Sequence, residues 1–136
     1  MKKTVAFVCT GNSCRSQMAE GWARHLGGDM FEVYSAGTQP TDEVNPLAIA
    51  VMKEAGIDIS DHRPKLLTQI PAKVDILIKM GCGVVCPSLP ANYQEDWGLE
   101  DPVGKPVEEF RRIRDEIKQK VLSLAGIVPD RCTFAP

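Results

Sequence analysis

The stretch whose reading decides the fold is Lys3-Thr4-Val5-Ala6-Phe7-Val8-Cys9, followed by Thr10-Gly11-Asn12-Ser13-Cys14 and Arg15-Ser16-Gln17-Met18-Ala19-Glu20-Gly21-Trp22. Its first third is short, Val- and Phe-rich and almost uninterruptedly apolar, the pattern of a strand buried on both faces. The middle is small and polar, with Gly11 as the permissive residue. From Arg15 the period changes to that of a helix: Met18, Ala19, Trp22, Ala23 and Leu26 share one face, and Gly27-Gly28 ends it. Strand, tight polar loop and helix are thus contiguous.

The same alternation continues outward. Phe31 to Ala36 reads as a second strand. Asn45 is placed to cap a helix with Pro46 at its first position, and Leu47, Ala48, Val51, Met52 and Ala55 form its stripe before Gly56. Lys73 to Met80 reads as a third strand, Gly81 to Asn92 as loop, and Glu95 to Leu99 as a short fourth strand. From Pro106 a last helix shows Phe110, Ile113, Ile117, Val121 and Leu124 on one side and a solvated basic face on the other. Neither repeats nor a linker interrupt the pattern. The expectation is one α/β domain over residues 1–136, a parallel sheet with helices on both faces.

Composition narrows the function classes. The 136 residues carry 16 basic and 18 acidic side chains, a net charge of -2. No global positive field exists to gather nucleic acid or anionic lipid, so an anion site must be local. The apolar run after Met1-Lys2-Lys3 is too short for a secretory signal, and no window approaches the ~20 apolar residues of a membrane span. A cytoplasmic protein with neither nucleic acid nor membrane as partner is expected, and nothing requires more than a monomer. Five cysteines are too few for a disulfide scaffold and cannot all pair. In a reducing compartment such cysteines tend toward catalysis, metal binding or redox chemistry.

Cys9 to Ser16 is where that chemistry concentrates. Ligands of an open α/β sheet bind at the carboxyl ends of strands, where helix N-termini point. Backbone N–H groups of Thr10, Gly11, Asn12, Ser13 and Cys14 and the helix dipole favour an oxyanion there. The same field stabilises a Cys9 thiolate. Arg15 can curl back so that its planar guanidinium holds two oxygens of a tetrahedral anion. A bare Cys and Arg at this spacing is a weak signal; the preceding strand, Gly-Asn turn and following helix make it specific. Ser16 is read as a hydroxyl donor to the thiolate, with an ordinary first-turn residue as the alternative.

Cys9 to Gly21, together with Tyr34-Ser35-Ala36-Gly37 and Trp97-Gly98-Leu99-Glu100-Asp101-Pro102, resembles the low-molecular-weight protein tyrosine phosphatase superfamily. Within it the chain is similar to the thioredoxin-coupled arsenate reductases. The resemblance implies a four-stranded parallel sheet flanked by helices. It implies Cys9 as nucleophile, Arg15 as oxyanion clamp, Ser16 as thiolate stabiliser and Asp101 as general acid. On its own terms Asp101 is either that acid or an Asp-Pro turn before the last helix.

The oxyanion loop alone cannot separate a reductase from a phosphatase, since both begin with attack by Cys9. Met80-Gly81-Cys82-Gly83-Val84-Val85-Cys86-Pro87 can. A reductase needs further thiols to take up a two-electron oxidation. The resemblance implies a relay from Cys9 to a Cys9–Cys82 disulfide, then to a Cys82–Cys86 disulfide reduced by thioredoxin, with no bound cofactor. Inert loop thiols, half of a zinc site and protection of a phosphatase nucleophile are the other readings of the pair; no second close Cys pair favours zinc. A small substrate, arsenate or a phosphate ester, is expected because Val103 stands where the tyrosine phosphatases carry aromatic residues, and Tyr93 has no tyrosine beside it.

The spacing of Cys82 and Cys86 is short for such a reductase, and Lys79 stands where these proteins usually have a small polar residue. Some of them bind potassium through Asn, Glu, Ser and Asp groups. Asn12, Glu20 and Ser35 match, but Lys65 falls about where the fourth, acidic group belongs, so no metal site is expected. Cys14 is read as packing or as a reserve partner for Cys9, Cys132 as a bystander, and His62 as an exposed loop residue. An oxyanion-binding module without turnover is the non-enzymatic alternative, disfavoured because Cys9, Arg15 and Asp101 are all present.

Overall fold

A computed structural model describes residues 2–81 and 90–126. Four parallel strands, β1 (Lys3–Cys9), β2 (Phe31–Gly37), β3 (Val74–Lys79) and β4 (Ala91–Asp96), lie in the order β2-β1-β3-β4. Helices α1 (Arg15–Gly27), α2 (Pro46–Glu54) and α3 (Val107–Leu124) complete the alternation expected from the periodicity. Among the described residues no helix is long and apolar enough to cross a membrane.

β1 is central, which is why its sequence is apolar on both faces. Val5, Phe7 and Cys9 point into a cluster that also takes the buried faces of α1, α2 and α3. Ala6 and Val8 point the other way, against Leu77, Val74 and Ile70. A right-handed β1–α1–β2 unit and a β2–β3 connection that reverses direction must cross opposite faces. Among the described residues, the second face is met by the 3-10 turn Leu67–Gln69. Pro64 and Pro71 flank that turn and limit its length.

The helix ends follow local chemistry. Asn45 caps α2 by accepting the Leu47 N–H at 2.9 Å, with Pro46 as the first helical residue. α3 carries Glu108 and Glu109 in its first turn, where carboxylates suit the dipole. It buries Phe110, Ile113, Ile117 and Val121, as its stripe demands.

One element departs from expectation. The fourth strand is Ala91–Asp96, not Glu95–Leu99. It is an edge strand whose side chains are mostly exposed, so backbone pairing with β3 holds it and its sequence shows no apolar alternation. Ala91 and Asn92, expected in a loop, are part of it. Residues 82–89, including Cys82 and Cys86, and the segment holding Cys132 lie outside the described residues.

Since β2 pairs on one side of β1 and β3 on the other, the chain reverses its winding at the carboxyl end of β1. Cys9 is the last residue of that strand and pairs with Gly37. A side chain at Gly37 would overlap the Thr10 carbonyl oxygen and press on the Asn12 amide. Gly37→Ala should therefore cost about 1–3 kcal/mol by urea denaturation and weaken oxyanion binding together with stability. A variant as stable as the parent would show that the two strand ends need not approach this closely.

Candidate functional site

The loop after Cys9 turns every carbonyl from Thr10 to Cys14 away from its centre. Thr10 O accepts the Gln39 N–H at 2.9 Å, Gly11 O the Thr41 N–H at 3.0 Å and Ser13 O the Asn45 N–H at 2.8 Å. Asn12 O accepts from Gln17 Nε2 at 3.1 Å, and Cys14 O accepts the Met18 N–H that opens α1. With the acceptors occupied outside, the donors remain for the inside. α1 itself has no side-chain cap, so its first amide groups add to the same set.

Asn12 makes this possible by standing in the left-handed region at φ 50°, which Asn tolerates better than most residues. Its side chain is fixed at both ends: Oδ1 accepts the Lys65 N–H at 2.8 Å and Gln17 Nε2–H at 3.1 Å, while Nδ2 donates to Ser16 Oγ at 2.8 Å. That last bond bears on the geometry of Ser16. Its oxygen is accepting, so its own proton is free for Cys9 Sγ, 2.9 Å away. The Asn12 N–H also donates to Sγ, at 3.2 Å. Cys9 Sγ thus lies within hydrogen-bond distance of two donors, a hydroxyl and a backbone amide.

Arg15, 7% exposed, is gripped from the far side of the sheet. Its Nη1 donates to Met80 O at 2.8 Å and to Leu99 O at 2.9 Å, carbonyls just past β3 and β4. One edge of the guanidinium is thereby spent on backbone, and Nη2 is turned toward Asp101 Oδ2 at 3.9 Å. Asp101 is mostly exposed, and its other oxygen accepts the Val103 N–H at 3.1 Å. One carboxylate oxygen closes the Asp-Pro turn while the other faces Arg15.

Cys14 differs from Cys9. Its side chain joins the apolar cluster, and burial pushes its thiol well above the ordinary range, Asp101 adding to the shift and Arg15 opposing it. It contributes a backbone amide to the loop and packing to the core.

The potassium ligand set does not fit here. Glu20 is buried, yet one oxygen accepts from Ser35 Oγ and lies 3.7 Å from Lys65 Nζ, while the other accepts from Arg24 at 2.9 Å. Two cationic side chains already neutralise the carboxylate that an alkali ion would need.

Gln17, His62 and the carbonyls of Met80 and Leu99 were not legible as parts of the site. Gln17 is fully buried at the start of α1, where its Nε2 also donates to Arg63 O at 3.0 Å. His62, expected to be exposed, is half-buried because its Nδ1 lies 3.0 Å from Gln17 Oε1. A polar residue beside the helix stripe was the available signal for Gln17, but its partners are 45 and 46 residues away.

Residues 4–131 match the low-molecular-weight phosphotyrosine protein phosphatase family. The chain belongs to that family. It is 55% identical over 121 residues to an arsenate reductase of Staphylococcus aureus, covering 86% of this chain and 92% of that one. Its fold superposes with a TM-score of 0.83 on an arsenate reductase in the phosphate-binding state, at 44% identity and covering 93% of this chain and 98% of the other. A thioredoxin-dependent arsenate reductase of Corynebacterium glutamicum is 35% identical with a TM-score of 0.73, covering 90% of this chain and 60% of that one.

Two outcomes follow from the site. Ser16→Ala should slow alkylation of Cys9 by iodoacetamide at neutral pH by about tenfold, the worth of one hydrogen bond to a charged group, while Cys14 stays unlabelled; equal rates would remove Ser16 from the site. Burial holds the His62 pKa below its ordinary value. The unfolded chain then binds the extra proton first, so stability present above the unfolded pKa near ~6.5 declines as pH falls through and below it. His62→Gln, which keeps a partner for Gln17, should flatten that decline in urea titrations between pH 7 and pH 5. An unchanged slope would assign the decline to other groups.

Proposed function

We propose that the protein is a cytoplasmic, monomeric arsenate reductase that uses a three-cysteine relay and is recycled by thioredoxin. The observation that carries the first step is the loop from Cys9 to Arg15, with its carbonyls tied outward, its sulfur accepting two hydrogen bonds and its arginine anchored behind it. Such a cradle suits a tetrahedral oxyanion whose central atom is attacked by sulfur. The choice of arsenate rests on the relatives and on Cys82 and Cys86 in the sequence.

Cys9 Sγ attacks arsenic while the loop amides of Thr10, Gly11, Asn12, Ser13 and Cys14 and the free edge of Arg15 carry the oxyanion charge. Asp101, at the mouth, gives a proton to the departing oxygen, which leaves as water. Cys82 then attacks Cys9 Sγ; the sulfur–arsenic electron pair passes to arsenic, which leaves as arsenite, and a Cys9–Cys82 disulfide forms. Cys86 attacks Cys82, releasing Cys9 as a thiolate and leaving a Cys82–Cys86 disulfide for thioredoxin. No resident cofactor is needed, because thioredoxin supplies the electrons.

The phosphatase alternative shares the first step, and the family match favours it as a secondary activity. Val103 is half exposed and offers no aromatic wall for a phenyl ring. Aryl phosphates should therefore be poor substrates.

The test is arsenate-dependent NADPH consumption with thioredoxin and its reductase. Cys82→Ser and Cys86→Ser should each abolish steady-state turnover, and Asp101→Asn should lower kcat by about 10²-fold. Cys86→Ser should still release one arsenite per enzyme and accumulate a Cys9–Cys82 disulfide by mass spectrometry. Wild-type turnover by both cysteine variants would refute the relay. Efficient aryl phosphate cleavage without arsenate-dependent NADPH consumption would select the phosphatase.

A further inference from the structure

Lys65 meets the surroundings of the oxyanion loop through its backbone and its side chain at once. Its N–H donates to Asn12 Oδ1 at 2.8 Å, and its carbonyl accepts the Gly37 N–H at 2.8 Å. Leu66 continues this contact as a parallel bridge to Gly37. The backbone at 65 and 66 is thus a short rail beside the end of β2, opposite the side that pairs with β1. Asn12 Nδ2 goes on to Ser16 Oγ, and Ser16 Oγ lies against Cys9 Sγ, so the Lys65 amide stands three hydrogen bonds from the nucleophile. Pro64 keeps the preceding residue extended, which suits a segment laid alongside a strand end.

The side chain turns to α1. Nζ donates to Arg63 O at 2.9 Å and lies 3.7 Å from Glu20 Oε1. Glu20 is only 4% exposed, and a carboxylate so buried is costly unless opposite charge and hydrogen bonds compensate it. Arg24 serves Oε2, at 2.9 Å, and spends another of its N–H groups on Val33 O. Oε1 accepts from Ser35 Oγ at 2.5 Å, and this is the oxygen that Lys65 faces. Without the ammonium, a neutral hydroxyl would be its one partner among the described residues. Two oxygen donors, Glu20 Oε1 and Arg63 O, therefore converge on a single positive charge, as the donors of a hard cation do.

We propose that the Lys65 ammonium is a tethered cation that stands in for an alkali ion, neutralising Glu20 and so holding the Lys65 backbone against Asn12. A free ion has to be recruited, and its occupancy follows its concentration. A group on the same chain is present at any salt concentration, because its association is intramolecular. Lys65 is in this sense a positioning residue: it acts on the anion through Asn12 and the loop without touching it. The inference rests on the loop from Cys9 to Arg15 being an oxyanion site, and on neither arsenate nor the cysteine relay.

The test is calorimetric titration of the reduced full chain with inorganic phosphate in potassium, sodium and choline chloride at equal ionic strength, the phosphate added as the salt of the same cation. Wild-type affinity should be the same in all three. Lys65→Met should bind several-fold more weakly in choline chloride, and Lys65→Arg, which keeps the charge, should recover most of the loss. Lys65→Asp should bind weakly in choline chloride and regain affinity several-fold in potassium chloride, a response that lost packing alone would not produce. Urea denaturation checks that each variant is folded. Wild-type affinity that rises selectively in potassium chloride would overturn the proposal, and this arm needs no variant to fold. So would Lys65→Met binding phosphate like the wild type, or a folded Lys65→Asp indifferent to potassium. Absence of wild-type binding in every salt would instead remove the oxyanion site itself, and the proposal with it.

Discussion

Five backbone carbonyls, from Thr10 to Cys14, leave the oxyanion loop as acceptors and bond to groups outside it. Unless those acceptors are satisfied elsewhere, they compete for the space an anion would occupy, and a buried unpaired carbonyl is costly. The partners come from the β2–α2 connection, through Gln39, Thr41 and Asn45, and from α1, through Gln17 and Met18. The parallel pairing of β1 and β2 brings that connection alongside the loop. The need for Gly37 at the junction and for a left-handed Asn12 follows from the same constraint.

Arg15 extends this dependence across the sheet. It belongs to the loop by sequence, but its position is set by carbonyls past β3 and β4, the strands on the other side of β1. Cradle and clamp therefore stand on opposite sides of the point where the winding reverses. Asp101 follows directly on the run that supplies Leu99 O, so the hold on the guanidinium also places the carboxylate beside it. A charge-assisted pair of bonds to backbone leaves one face of a planar cation free without leaving the rest unsatisfied.

The β1–loop–α1 unit was legible because all its signals are contiguous: an apolar strand, a Gly-Asn turn and a helical period that starts at Arg15. The start of α2 was legible to the residue because Asn45 and Pro46 act locally, whereas Leu47 and Ala55 of its expected stripe are exposed. β4 was misplaced because an edge strand needs no apolar alternation, and Ala91–Asp96 shows none. The support of the site was hidden for a different reason. Gln17, His62, Lys65 and the Met80 and Leu99 carbonyls act through partners far along the chain, several of them backbone atoms that carry no residue signature. Lys65 illustrates both sides: its identity argued against an alkali cation, whereas its amide bond to Asn12 could come only from the fold.

The central claim is that the inward-facing amides of one loop form the oxyanion site. Titrating the reduced protein with inorganic phosphate while following backbone amides by heteronuclear NMR tests it most directly. The account predicts saturable, concerted shifts of the Gly11 to Ser16 amides and of the Arg15 side-chain N–H, with little change near Lys3 and Lys120. Shifts confined to the surface around Lys3 and Lys120, with the loop amides unmoved, would contradict it.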